Sequence, residues 1–286
     1  MAKVAIVTDS TAFMPAEFTR HLPIFYIPLH IIWGDETFLD NVNITADQFY
    51  AKLKGSKILP STSQPSPAAF RDLYMKLIEQ GYDILSIHIS ARLSGTIDSA
   101  IQARNMLPDL QIEILDSETT SLAMGFHVLA AARLAAQGAT LHECKIEAER
   151  ARSQSGVLFV LDTLEFLRRG GRIGGGAAFM GTMLNLKPIL EIHDGRIKAV
   201  ERIRTSAKAR ERMVDLFVSK VAATRCPIRI ATLHADTPED AALLLENARQ
   251  RFGITDVAET IIANVCPVLG VHSGHGVLGI AWIAGM

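Results

Sequence analysis

Three cysteines in 286 residues, Cys144, Cys226 and Cys266, are too few, odd in number and too widely spaced for a disulfide framework. Thiols so placed fit a reducing compartment better than a secreted scaffold. An excess of one charge is also lacking. With 29 basic and 30 acidic side chains, neither a nucleic-acid surface nor a polybasic membrane patch is expected. No apolar run approaches the roughly 20 residues of a membrane span. The stretch around Val277 to Ala284 falls far short, and the opening Met1-Ala2-Lys3-Val4-Ala5-Ile6-Val7 is too short for a secretory signal. The expectation is a soluble cytoplasmic protein. Repeats, low-complexity tracts and long linkers are missing as well, so any domains should pack closely.

What is present is apolar: 49% hydrophobic residues against 21% charged, enough for a sizeable core in one large or two ordinary domains. Val4 to Thr8 reads as a buried parallel strand ending in Asp9-Ser10-Thr11. Ile84 to Ile89 and Ile112 to Leu115 repeat the pattern, ending in polar Ser90 to Thr96 and Asp116-Ser117. Helical periodicity separates them, at about 67–80, from Thr96 toward Pro108, and at 122–137; Thr140 with Glu143 forms a capping box for one more. Alternating strands and helices predict a Rossmann-like, doubly wound parallel sheet over residues 1–155. Residues 28–57, with a Gly34-Asp35 turn, suggest a small β-hairpin insertion.

The texture changes near residue 156. Val157 to Leu161 reads as a strand, 177–184 as an apolar helix, and Ile189 to Ile203 as a hairpin turning at Asp194-Gly195. Helices near 206–223 and 238–252 flank a strand at Ile228 to Leu233, with another at Val257 to Ala263. Residues 156–286 are therefore expected to form a second, mixed α/β domain.

Several chemistries can be weighed on the residues. Gly274-His275-Gly276-Val277-Leu278-Gly279 matches a dinucleotide fingerprint by letter, but the following helix, strand and acidic residue are missing. Gly170 to Gly176 resembles a phosphate cradle without the Lys-Ser/Thr ending; Arg168, Arg169 and Arg172 beside it could contact an anion. His272 and His275 do not complete a zinc site without further ligands. A hydrolase could assemble Ser94, His272 and Asp9, although no Gly-x-Ser-x-Gly elbow occurs; a serine hydrolase acting on acyl esters is the alternative function. The stretch Ile58 to Pro67 holds four hydroxyls and an amide between three prolines. It reads as a stiff polar loop feeding a helix, with Ser66 as N-cap and Pro67 first in the helix. Neutral hydroxyls at Thr62 and Ser94, with the His272 imidazole, could hold a carboxylate without any nucleophile.

Together these motifs resemble the DegV family, which includes the fatty-acid-binding subunits of bacterial fatty acid kinases. The similarity runs along essentially the whole chain: Asp9-Ser10-Thr11-Ala12, Thr62-Ser63-Gln64-Pro65-Ser66, Leu93-Ser94-Gly95-Thr96, Asp162 to Ile173, and Val271-His272-Ser273-Gly274 with Gly276. The resemblance implies two α/β domains with one long-chain fatty acid between them and no other cofactor or metal. By it, Thr62 and Ser94 bind the carboxylate and His272 supports them, with Ser63, Gly95 and His275 as further head-group contacts. It also implies a carrier rather than an enzyme. A separate kinase would phosphorylate the carboxyl group with ATP for phospholipid synthesis, and Arg172, Arg202 and Arg204 would face that kinase. Two positions depart from the family pattern: His275 stands where proline is usual, and Ile97 where an aromatic commonly follows the Leu-Ser-Gly-Thr motif.

Overall fold

The structure, a computed structural model, describes residues 3–12, 14–174, 187–224, 227–253 and 255–286. In chain order its first elements are β1 (Lys3–Asp9), α1 (Ala16–Thr19), β2 (Ile24–Ile27), β3 (His30–Trp33), β4 (Glu36–Leu39), α2 (Ala46–Gly55) and β5 (Ser61–Ser63). Then come α3 (Pro67–Glu79), β6 (Tyr82–His88), α4 (Thr96–Asn105), β7 (Ile112–Asp116), α5 (Ser121–Ala136) and α6 (Leu141–Gln154). They are followed by β8 (Ser155–Val160), α7 (Glu165–Arg169), β9 (Lys187–His193), β10 (Arg196–Ile203), α8 (Ser206–Val221) and β11 (Ile228–His234). The last are α9 (Pro238–Arg249), β12 (Val257–Asn264), α10 (Pro267–Ser273) and β13 (Leu278–Ala284). The helix expected at 177–184 lies outside the described residues.

Strands β2-β1-β6-β7 form a parallel sheet, the expected doubly wound arrangement. A mixed sheet has the order β10-β9-β8-β13-β11-β12, in which only β11 and β12 run parallel. Helices α3 and α4 cover one face of the parallel sheet, α8 and α9 the far face of the mixed sheet, and α5 with α6 fills the space between the sheets.

Period-two burial explains these layers. In β1, Val4 and Ile6 join the central core, while Ala5 and Val7 pack outward on Phe70, Tyr74 and Leu77 of α3. In β13, Ala281 and Ile283 face the centre and Ile280, Trp282 and Ala284 face the α8–α9 side. A strand buried on both faces must be apolar throughout. The run ending the sequence is therefore a strand in the middle of the mixed sheet, which was not expected.

Two further differences bear on the site. Ser61-Thr62-Ser63 is no loop: it pairs antiparallel with β3, Thr62 opposite Ile31, as the third strand of the sheet β4-β3-β5. The insertion is thus the expected hairpin at Gly34-Asp35 plus this added strand. The segment Pro267–Ser273, which carries His272 and where no helix was expected, is helix α10.

Candidate ligand-binding site

A cavity lies where the ends of β1 and β6 meet the inner face of the mixed sheet, the edge at which open α/β sheets place ligands. Its space, including the part open to solvent, is about 880 Å³. Leu29, Ile89, Leu93, Val157, Phe159, Ile192, Ile197, Leu233, Val265 and Val268 give it an apolar wall. The polar side chains in that wall are Thr11, Thr62, Ser94, Thr120, Ser121, Arg172, His272 and Ser273.

Thr62 is held by the β5 ladder, and its Oγ1 lies 2.9 Å from Nε2 of His272. His272 projects from α10, whose entry is fixed by the insertion. Tyr50 donates its hydroxyl to the Val265 carbonyl at 3.1 Å, and the Val268 N–H donates to Oδ1 of buried Asp40 at 3.2 Å. Burial pushes the Asp40 carboxyl up to about 6, against the hydrogen bond from Ser10. Gly270 lets α10 approach α2 closely, since a Cβ there would stand 2.6 Å from Phe49 and 2.8 Å from the Tyr50 oxygen. Burial drives the His272 imidazole down to about 4, helped by the charge of Arg172. The ring is therefore neutral at neutral pH, and its Nδ1 has no hydrogen-bond partner among the described residues.

Ser94 sits in the turn after β6, where the Leu93 and Ser94 N–H groups both donate to the Ser90 carbonyl. Its Oγ lies 2.8 Å from Thr96 Oγ1 and accepts from the Thr96 N–H at 3.3 Å. Gln64 rests against Gly95, where an added Cβ would be 2.9 Å from its Nε2, so the segments that follow β5 and β6 touch at this point. Arg172 lines the cavity and donates through Nε to the Leu93 carbonyl at 3.1 Å, with a second bond to the Gly170 carbonyl.

Thr62, Ser94, His272 and Arg172 thus come together at one cavity. Ser63, Gly95 and His275 do not line it. Ser63 pairs with His30 in the sheet. His275 is half-buried beside Tyr50, ring centres 6.1 Å apart, and its imidazole is lowered by burial and then by Lys54. Arg202 and Arg204 are exposed, on and just beyond β10, and also lie outside the lining.

The geometry does not assemble the alternative triad of Ser94, His272 and Asp9. Asp9 Oδ2 pairs with His88 Nδ1 at 3.1 Å, and the far nitrogen of His88 pairs with Ser86 at 2.7 Å. Ser86 is in turn 2.7 Å from the Tyr74 hydroxyl. This Asp-His-Ser row is fully buried, so its hydroxyl meets core rather than substrate. Sequence reasoning did not assign Thr11, Thr120 or Ser121 to the site. Their available signal was hydroxyl residues at a strand end and directly before an apolar helix.

A model of the DegV family, described as an uncharacterised protein family, matches residues 3–285. A DegV domain-containing protein of Streptomyces coelicolor is 36% identical over 278 residues, covering 97% of each chain. A solved structure of a DegV family protein from Thermus thermophilus, described for its fatty acid binding, superposes with a TM-score of 0.91 at 34% identity over 99% of both chains. DegV from Bacillus subtilis, described as a fatty acid binding protein, gives 0.89 at 35% identity over 99% of this chain and 100% of that one.

Proposed function

This chain belongs to the DegV family, and on that footing we propose that it binds a long-chain fatty acid in the cavity and presents the carboxylate to a separate ATP-dependent kinase. The site then lies between units 1–155 and 156–286, in a protein working in the cytoplasm. The observation that carries the reading is the Thr62–His272 pair, which shares with Ser94 a cavity whose wall is mostly apolar.

The tautomer matters to the head group. With the proton on Nε2, His272 donates to Thr62 Oγ1, and the Thr62 proton is free to point at a carboxylate oxygen. Nδ1, lacking a donor nearby, is then a bare acceptor rather than an unpaired N–H. Ser94 offers a second hydroxyl proton when Thr96 Oγ1 is the donor in the 2.8 Å contact between the two hydroxyls. Hydrogen bonds to an ionised partner contribute about 1.5–3 kcal/mol each. The tail supplies more: about 14 methylenes at ~0.8 kcal/mol each give on the order of 11 kcal/mol, against several kcal/mol for association and ordering.

Native mass spectrometry of gently purified protein is expected to show an added mass matching a fatty acid. A ligand-free protein that also ignores added fatty acid would overturn the reading. The carrier role predicts that a fatty acid kinase with ATP makes acyl phosphate only when this protein is loaded, and that charge reversal at Arg202 and Arg204 slows that transfer without displacing the lipid.

A further inference from the structure

Arg172 is tied to the Leu93 carbonyl and Ser273 donates to the Gly274 carbonyl; the other polar side chains of the wall that the head-group reading does not use are Thr11, Thr120 and Ser121. Thr11 spends its only side-chain proton on Asp9, donating from Oγ1 to Oδ1 at 2.6 Å. Its backbone N–H donates to the same oxygen at 3.0 Å, and the Ile89 N–H donates to Oδ2 at 2.9 Å. Thr11 therefore offers a ligand lone pairs and no proton. Thr120 is the N-cap residue of α5, a helix packed on the Ser10–Ala12 turn. Its side chain makes no capping bond, the residue is 8% exposed, and Oγ1 has no partner among the described residues. Ser121 adds a half-buried hydroxyl at the same helix start.

We propose that Thr11, Thr120 and Ser121 form a subsite for a hydroxyl group on the acyl chain, so that the ligand class includes hydroxylated long-chain fatty acids. This rests on the fatty-acid reading above. A hydroxyl both donates and accepts. It can give its proton to Thr11 and accept from the unpartnered Thr120 hydroxyl, with Ser121 lining the wall beside it, where the N-terminal end of α5 adds a favourable partial positive charge. A carboxylate only accepts; it would face the Thr11 lone pairs with the Asp9 carboxylate directly behind them. A ketone leaves the Thr11 lone pairs unmatched, and a plain methylene leaves the buried Thr120 hydroxyl without a partner.

The test uses the full chain stripped of lipid and titrated with octadecanoic acid and a set of its monohydroxy positional isomers. One isomer is expected to bind about three- to tenfold more tightly than the plain acid, the factor for one net hydrogen bond. Thr120→Val should bring that ratio to about one, and Thr120→Ser, which keeps the hydroxyl, should preserve it. Reading a ratio in each protein separates the effect from general damage to the cavity. Plain acid bound with no isomer preferred overturns the subsite and leaves the fatty-acid reading standing. A preference that survives Thr120→Val also overturns it, because the hydroxyl is then recognised elsewhere. If neither plain nor hydroxylated acids bind, the fatty-acid reading falls and the subsite with it.

Discussion

Gly170→Ala gives a sharp test of how the head-group imidazole is held. Gly170 closes α7 with φ −72° and ψ −8°, a backbone conformation that alanine adopts without strain. The difficulty is space: an added Cβ would stand 2.2 Å from Nδ1 and 3.0 Å from Cε1 of His272. The ring must move, and the 2.9 Å contact to Thr62 is the bond it would lose. Overpacking of this kind costs about 1–3 kcal/mol of stability, and a lost support to the anion site about 1 kcal/mol of affinity, roughly fivefold. Isothermal titration with a long-chain fatty acid and denaturant unfolding measure the two. The decisive arm is His272→Ala, which removes the severe clash and leaves only a 3.2 Å approach to the Phe166 carbonyl, relieved by a shift of a few tenths of an ångström. In that background Gly170→Ala should cost nothing, or stabilise by up to about 1 kcal/mol through a less flexible unfolded chain. Equal losses in both backgrounds would refute the steric account, because the coupling between the two positions would be zero.

Thr62→Ala and Ser94→Ala should each weaken fatty-acid binding by about 1–3 kcal/mol, measured by titration; unchanged affinity in both would move the carboxylate elsewhere. His272, lowered from 6.5 to about 4, contributes stability that is present above pH 6.5 and lost as pH falls toward 4, by up to about 3 kcal/mol at ~1.4 per pH unit. Urea unfolding of His272→Gln should therefore show a smaller loss between those limits. Asp40 acts in the opposite sense: raised from 3.8 to about 6, it favours the folded state most at low pH and loses that contribution as pH rises through this window. Asp40→Asn, which keeps an acceptor for the Val268 N–H, should remove the decline; a wild-type-minus-variant difference that is flat from pH 4 to 7 would contradict it.

The parallel sheet was legible because β1, β6 and β7 are short apolar runs closed by hydroxyl-rich ends. The capping box at Thr140 and the turn at Asp194-Gly195 also formed as local chemistry dictates. Strand β5 was not legible. Three hydroxyl residues have no strand signal of their own, and they become a strand because β3 presents an unpaired edge beside them. Helix α10 was masked by Gly270 within it and by Gly274 and Gly276 just after it, which suggest a loop. Gly270 is there for packing, since Phe49 and Tyr50 fill the space a side chain would need. Strand β13 was ambiguous because a short apolar run fits a buried helix segment and a central strand equally. At the site, types of residue were readable and pairings were not. Three residues supplied hydroxyls and imidazole, but only the fold decides that His272 meets Thr62 while Asp9 is occupied by His88.

The origins of those three residues have a consequence for how a bound acid would act on the protein. Thr62 comes from the small sheet, Ser94 from the turn that closes β6, and His272 from a helix between β12 and β13. No one of these segments holds the head group alone. A ligand gripping all three stabilises their common arrangement, by about 2.7 kcal/mol at a hundredfold excess over Kd. The grip is nonetheless made of neutral groups, with Arg172 as the only cation in the described cavity lining and tied to the Leu93 carbonyl. Removing one partner of a buried ion pair costs about 3–5 kcal/mol, whereas each neutral hydroxyl here holds the anion by no more than about 3. A protein whose proposed task is to offer a carboxyl group to another enzyme benefits from that division. The apolar tail carries the affinity, and the head group is oriented without a buried charge partner that its conversion to acyl phosphate would have to leave unpaired.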